Sequence, residues 1–321
     1  RAAALSPPVR PNHRLYTSIY PYIHISIYPY FHISIYPYFH NKKFDYNYPY
    51  YIIIISLLYH YYIFFIIYYI MAKHSLHLYK PLFTTSNSSL IRTSKNYISK
   101  VFYNKGIYYN ELEILKRLQH DNIINVHTYF IDEYGKGIIE FKYYTDGDLL
   151  DHINKYVRTK KKCFTTDKKI NILTQIVDPL LYCHNENIIH GDIKPDNILL
   201  DNETPIIIDF GLSIHNTQFT NNLIKNPTIY YGTQGSNGYM APELYDNYIG
   251  PCSDVYSLGV LLYNLFTNEM PKYNHNTIEI SSNTLIKYDI PFKIDNLLHD
   301  MLQQDYNLRP TMEDIYYEYL L

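Results

Sequence analysis

Ile189-His190-Gly191-Asp192-Ile193-Lys194-Pro195-Asp196-Asn197-Ile198-Leu199-Leu200, followed by Ile206-Ile207-Ile208-Asp209-Phe210-Gly211, decides the fold of this 321-residue chain. Two short apolar runs flank a polar loop, so the segment reads as a β-hairpin-like arrangement that brings Asp192, Asn197 and Asp209 together. Asp209 lies twelve positions after Asn197. Two oxygen ligands at that spacing suit Mg2+, a hard cation that leaves positions for phosphate oxygens. Asp192 can then accept a proton from an attacking hydroxyl. Lys194, two residues on, can neutralise charge on a phosphoryl group in transfer.

Working outward, Tyr97-Ile98-Ser99-Lys100-Val101-Phe102 reads as a strand. Glu111 opens Glu-Leu-Glu-Ile-Leu-Lys-Arg-Leu, whose leucines at 112, 115 and 118 recur at helical spacing. Toward the C-terminus come Tyr239-Met240-Ala241-Pro242-Glu243, Asp254-Val255-Tyr256-Ser257-Leu258-Gly259 and Arg309-Pro310.

In this order and spacing the residues resemble the eukaryotic protein kinase family over about 75–321. The resemblance implies an α+β, bilobal fold: a small, mostly antiparallel sheet lobe with one helix (about 75–143), then a larger, mainly helical lobe (about 144–321). It implies ATP and Mg2+ as cofactors, and transfer of the γ-phosphoryl group to Ser/Thr hydroxyls of proteins. Asp192 and Lys194 match the catalytic pair, and Asn197 and Asp209 the metal ligands. Lys100 matches the lysine on the α- and β-phosphates, and Glu111 the helix glutamate that pairs with it. Glu243 closes the activation segment and pairs with Arg309. Asp254 opens the buried central helix, and His190 belongs to the structural part of the catalytic loop. Lys194 in Asp-Ile-Lys-Pro-Asp-Asn resembles the serine/threonine branch. Counting back from Glu243 aligns Ser236 with that branch's activation-segment threonine, which bonds the catalytic aspartate and lysine; Thr233 is the alternative. Without gaps back from Gly147-Asp148, Phe141 is the gatekeeper and Lys142, Tyr143 and Tyr144 form the hinge whose backbone meets adenine. Asp148 either reaches a ribose hydroxyl or caps the helix 149–157.

The chain departs from the family in three places. No glycine precedes Gly106, so Thr84–Leu90 stands where the glycine-rich phosphate loop is expected. Its Ser and Asn residues can present backbone N–H groups, but each Cβ limits approach to phosphate. The expectation is an unusual nucleotide clamp with raised KM for ATP. Gly191 stands where arginine is usual, which predicts activity independent of activation-segment phosphorylation. Only eleven positions separate Lys100 from Glu111, so Asn104-Lys105-Gly106 is expected to be a tight turn before a shortened helix.

His-Gly-Asp is also the pattern of aminoglycoside- and choline-type small-molecule phosphotransferases. That rival covers His190–Asp192 and Asn197, but not Lys194-Pro195, Ala241–Glu243, Asp254 with Gly259, or Arg309. A second alternative is a pseudokinase acting as a binding scaffold. It draws on the altered phosphate loop and conflicts with Lys100, Asp192, Asn197 and Asp209.

Residues 1–70 read differently. An eight-residue unit, Ser-Ile-Tyr-Pro-Tyr-Ile/Phe-His-Ile/Asn, repeats three times over 18–41, and its prolines forbid a continuous helix. The first methionine is Met71. Residues 1–70 are therefore expected to be a low-complexity Tyr/Ile-rich segment that is disordered or not translated. The apolar stretch 51–70 is long enough to span a bilayer, and membrane attachment is expected only through it. Biased-codon sequence with no role is the favoured reading of that stretch.

The whole chain carries 28 Lys+Arg against 30 Asp+Glu, a formal charge of −2, which gives no electrostatic case for nucleic acid. Three cysteines, Cys163, Cys183 and Cys252, fit neither a zinc knuckle nor a disulfide framework. An intracellular, cytoplasmic location is expected. His120, His127, His152, His184 and His299 are read as packing or surface residues, with no i,i+4 carboxylate spacing that argues for zinc.

Overall fold

The computed structural model describes residues 24–27, 31–34, 80–159, 164–215, 223–225, 235–274, 277–279, 287–288 and 290–321. The chain divides into two units, 1–65 and 66–321.

In the first unit β1 (His24–Ile27) pairs antiparallel with β2 (Phe31–Ser34), with His24 opposite Ser34 and Ile27 opposite Phe31. The sequence reading assigned no strand here. Both strands fall between successive prolines of the repeat, so each keeps all its backbone donors and its β-favouring isoleucine or phenylalanine. The candidate span 51–70 and Met71 lie outside the described residues. No helix among the described residues is long and apolar enough to cross a membrane.

The second unit opens with a five-stranded antiparallel sheet. Its strands are β3 (Phe83–Thr84), β4 (Ser88–Arg92), β5 (Tyr97–Phe102), β6 (Val126–Ile131) and β7 (Gly137–Lys142), in the order β3-β4-β5-β7-β6. Register separates the two faces. Leu90, Lys100 and Ile139 lie opposite one another on one face. Ile91, Val101 and Ile138 form a small apolar cluster on the other.

Thr84–Leu90, which stands where the phosphate loop is expected, closes on itself as a tight turn. β3 and β4 pair through Thr84–Ser89 and Phe83–Leu90, and Thr85 N–H donates to the Ser88 carbonyl at 2.8 Å. Thr85 Oγ1 accepts from Asn87 N at 3.2 Å and Ser88 N at 3.0 Å, and Tyr103 N donates to the Asn87 carbonyl at 2.8 Å. A Ser/Thr-rich stretch closes its own turn because a hydroxyl two or three residues back can satisfy its N–H groups. Those two donors are therefore committed inside the hairpin, which corrects the idea that they face phosphate.

Helix α1 (Lys105–Leu115) follows β5 directly. The Asn104 carboxamide accepts from Gly106 N at 2.8 Å and Ile107 N at 3.3 Å, an N-cap that lets the helix begin at Lys105. Lys105 and Gly106 thus belong to its first turn, not to a separate linking turn. Leu112, Ile114 and Leu115 are buried beneath the sheet with Tyr108. The Tyr108 ring lies flat on the backbone of Gly137, where a Cβ would come within 2.2 Å of its Cγ. Only glycine admits that ring.

The large lobe is built on α2 (Leu149–Thr159), α3 (Thr166–Asn185), α5 (Pro251–Thr267) and α6 (Phe292–Met301), with the one-turn α4 (Pro242–Tyr245) ahead of α5. Asp148 Oδ1 accepts from Asp151 N at 2.7 Å, so it caps α2, which runs two residues further than the sequence suggested. Every residue of α5 from Ser253 to Thr267 is buried. Ile172, Leu173, Ile176 and Leu180 of α3 and Leu297 and Leu298 of α6 complete the core, each fully buried aliphatic contributing about 1.5–3 kcal/mol. Short strands fringe this core: β8 (Ile188–Ile189) pairs with β11 (Ile214–His215), and β9 (Ile198–Asp201) with β10 (Thr204–Ile207). Further on, β12 (Ile224–Lys225) pairs with β13 (Tyr248–Ile249). The α+β, two-lobed architecture is the one the sequence implied.

Candidate active site

The loop between β8 and β9 holds the site because α5 holds the loop. Asp254 accepts from His190 N and Gly191 N, both at 2.8 Å, and His184 Nε2 lies 3.0 Å from the same carboxylate. His190 takes Asp192 N at its Nδ1 (3.3 Å), which assigns the proton to Nε2, bonded to the Ile208 carbonyl at 3.0 Å. Its ring meets Phe210 edge-on at 4.7 Å. The loop is thereby fixed to the segment that carries Asp209.

Asn197 Nδ2 donates to the Asp192 carbonyl at 2.8 Å and to Asp192 Oδ2 at 3.0 Å. Lys194 Nζ donates to Asp192 Oδ2 at 2.8 Å and to Ser236 Oγ at 2.5 Å. Ser236 Oγ in turn donates to Asp192 Oδ1 at 2.9 Å. Ser236, one of the two candidate hydroxyls, is thus seated between Asp192 and Lys194; Thr233, the other, lies outside the described residues.

Across the cleft, Lys100 Nζ donates to Glu111 at 2.9 and 2.7 Å and to Asp209 Oδ1 at 2.8 Å. Asp209 adopts φ +63°, a left-handed backbone that aspartate tolerates, and its Oδ1 also accepts from Gly211 N at 3.3 Å. Burial works against the Lys100 charge, but Glu111 and Asp209 outweigh it and hold its pKa above the usual lysine range. Burial likewise pushes the Glu111 carboxyl up to about 7; Lys100 opposes this and Asp209 adds to it. For Asp209 desolvation is outweighed by the Lys100 charge and hydrogen bond, so its pKa falls below the ordinary value. One ammonium thus serves two carboxylates, the buried Glu111 and Asp209, whose side chain is 45% exposed.

The donor set fits a hard divalent cation. Asn197 has spent its amide N–H on Asp192, so its oxygen is the atom left for coordination, and Asp209 keeps an ionised carboxylate open to the cleft.

At the hinge, Phe141 is buried and lies opposite Ile98, on the face shared with Lys100. Lys142 turns outward: Nζ meets Asp201 at 2.6 Å and sits 4.7 Å from the Tyr144 ring centroid. Tyr143 N donates to the Asn96 carbonyl at 2.7 Å, and Arg92 stacks on its ring at 4.0 Å. The Tyr143 N–H is therefore not the donor for adenine, which corrects part of the hinge expectation.

Glu243 and Arg309 meet as expected. Arg309 Nη1 and Nη2 donate to Glu243 Oε1 and Oε2 at 2.8 and 2.9 Å, and Ser253 Oγ donates to Oε1 at 2.7 Å. Asp295 and His299 stand at i,i+4, 3.4 Å apart, a single pair with no third ligand among the described residues. No group of three or more His, Cys, Asp or Glu side chains among the described residues is arranged to hold a metal.

Four contributors escaped the sequence reading: Thr85, Asn110, Asp201 and Ser213. None belongs to a recognisable motif, and each acts through a backbone group or a partner far along the chain.

A buried lysine–glutamate pair between strand β5 and helix α1, facing a loop Asp–Lys–Asn set on a helical lobe, is the layout of a protein kinase domain. The family described as "Protein kinase domain" matches residues 87–320, and the chain belongs to that family. Among curated relatives, NUAK family SNF1-like kinase 2 of Rattus norvegicus is 35% identical over 212 residues, covering 64% of this chain and 31% of that protein. A Dictyostelium discoideum protein named "Probable serine/threonine-protein kinase MARK-A" is 36% identical over 216 residues, covering 64% of this chain and 19% of that one. NUAK family SNF1-like kinase 1 of Mus musculus is 33% identical over 212 residues, covering 64% and 30%. The chain thus spans a third or less of the length of these relatives.

Proposed function

We propose that this chain transfers the γ-phosphoryl group of ATP to serine and threonine hydroxyls of proteins. Asp192 orients the acceptor hydroxyl and takes its proton as the new O–P bond forms and the bond from the γ-phosphorus to the β,γ-bridging oxygen breaks, releasing ADP, while Lys194 stabilises charge on the phosphoryl oxygens. Asn197 and Asp209 would hold Mg2+, which when bound neutralises phosphate charge. Lys100 positions the α- and β-phosphates, and Glu111 positions Lys100. Phe141 bounds the adenine pocket, and the backbone of Lys142 and of Tyr144 lines it. Asp192, His190 and Asp254 act as one rigid unit, so catalysis rests on positioning and electrostatics.

The observation that carries this reading is the seat of Ser236 Oγ, held by Asp192 at 2.9 Å and Lys194 at 2.5 Å. Branch residue, base and ammonium share one hydrogen-bonded cluster, which supports the serine/threonine reading. The name of the Dictyostelium discoideum relative supports the serine/threonine branch. Protein substrates follow from the family. A formal charge of −2 gives no reason to add nucleic acid, and free Cys183 and Cys252 suit a reducing cytoplasm.

A second reading, a pseudokinase scaffold, draws on the closed Thr85–Ser88 turn, whose Asn87 and Ser88 donors are already used. One assay separates the readings. Full-length protein is incubated with Mg2+ and γ-labelled ATP and offered mixed protein and aminoglycoside acceptors. Label in phosphoserine and phosphothreonine is expected; label confined to aminoglycoside, or none at all, overturns the proposal.

A further inference from the structure

Glu111 reaches Lys100 only while α1 keeps its position and its rotation. One residue earlier, Asn110 Nδ2 donates to the Ser213 carbonyl at 2.9 Å, joining the small-lobe helix to the chain just past Asp209-Phe210-Gly211. Ser213 is buried and is fastened twice to its surroundings. Its N–H bonds the Phe210 carbonyl at 3.1 Å, and its Oγ donates to the His190 carbonyl at 2.8 Å. The next residue, Ile214, pairs with Ile189 in the β8–β11 ladder. Asn110 therefore grips a backbone that is itself tied to the catalytic loop.

We propose that Asn110 is a positioning residue that sets the rotation of α1, and through it the Glu111–Lys100 pair, relative to the loop bearing Asp192. The inference rests on the phosphotransfer reading for its kinetic consequence. Neighbouring side chains on an α-helix point about 100° apart, so fixing Asn110 fixes the direction of Glu111. The margin is narrow on the far side: Glu111 Oε2 lies 3.1 Å from where a Cβ on Gly211 would stand. Both groups of the latch, an amide and a carbonyl, are neutral. It therefore holds without a phosphate and without a titrating partner.

The test compares Asn110→Asp, which keeps the shape but replaces the donor with an acceptor, and Asn110→Gln, which keeps the donor. In the full-length protein, amide hydrogen exchange over 108–115 and 210–214 is expected to rise at least threefold for Asn110→Asp and to stay near the parent for Asn110→Gln. The value of kcat should fall roughly fivefold for Asn110→Asp, the reach of one net hydrogen bond, with KM for the protein acceptor unchanged. Asn110→Asp should add nothing in a Glu111→Gln background, because both act through the same pair. Parent-like exchange in Asn110→Asp overturns the latch whatever the activity. A parent with no phosphotransfer would sink the kinase reading while the exchange data still decide for or against Asn110.

Discussion

Arg309 grips Glu243 through two parallel N–H···O bonds of 2.8 and 2.9 Å, across 66 positions of sequence and out of reach of water. The guanidinium is further satisfied by the carbonyls of Gln303 at 2.8 Å and Cys252 at 2.9 Å, and lies 4.8 Å from the Tyr256 ring centroid. A planar fork is needed for this geometry, which lysine cannot supply. Glu243→Gln leaves a buried cation without its counter-charge and is expected to cost about 3–5 kcal/mol. Urea unfolding of the full-length protein measures it; a loss below about 1 kcal/mol would show that the pair is not a structural tie.

Gly191 is the next point of tension. Its φ is +79°, and a Cβ there would stand 3.0 Å from the Leu212 carbonyl oxygen. Gly191→Ala should therefore destabilise the protein by roughly 1–2 kcal/mol through left-handed strain and the crowded carbonyl. With no arginine at 191 to be neutralised, kcat should survive exhaustive phosphatase treatment. Loss of more than about tenfold in kcat on dephosphorylation, about 1.4 kcal/mol of transition-state stabilisation, would contradict this.

Ser236 supplies a graded test of the loop chemistry. Ser236→Ala removes the hydroxyl shared by Asp192 and Lys194 and is expected to lower kcat/KM by about 10²-fold. Ser236→Thr keeps the hydroxyl and should stay within about threefold of the parent, less than one net hydrogen bond. Equal losses in both variants would remove Ser236 from the catalytic cluster.

Glu111 gives the stability a pH dependence. Its folded pKa, about 7, lies above the ordinary 4.5, so the folded state binds the proton more tightly. The associated stability is fully present below about pH 4.5 and is lost as pH rises through about 7. Asp209 runs the other way: its contribution is present above the ordinary 3.8 and disappears only as pH falls through its lower folded value. Of these two groups, only Glu111 contributes a slope between pH 5 and 8. Relative to the parent, Glu111→Gln should gain roughly 2–3 kcal/mol across that range in nucleotide-free protein. A flat difference in unfolding free energy would refute the shift.

The sequence was most legible where chemistry fixes residue types. Asp192, Lys194, Asn197 and Asp209 were readable from one loop because hard cations and phosphates accept few substitutes. Lys100 with Glu111, and Glu243 with Arg309, were readable as pairs only through the family resemblance, since opposite charges alone do not choose partners 11 and 66 positions apart. Two hydroxyls, Ser236 and Thr233, could not be told apart from sequence, since both are short donors in one loop. The closed turn at Thr85 was hidden because its stability comes from a side chain bonding its own backbone, which leaves no periodic trace. Asn110 and Asp201 were hidden for a different reason. Their partners, the Ser213 carbonyl and the Lys142 ammonium, are ordinary groups brought near by topology alone.

The strands of the repeat were missed because proline was read only as a helix breaker. Between the prolines, Ile and Phe at alternate positions still pair across β1 and β2.

The central claim is that Asp192 drives transfer from ATP to a protein hydroxyl. Its most direct test is the initial rate of phosphoserine and phosphothreonine formation by full-length parent and Asp192→Asn proteins at saturating MgATP. The amide keeps the shape and the contact with Asn197 but cannot take a proton, so the rate should fall by about 10³-fold or more while nucleotide binding persists. Equal rates in the two proteins would contradict the account.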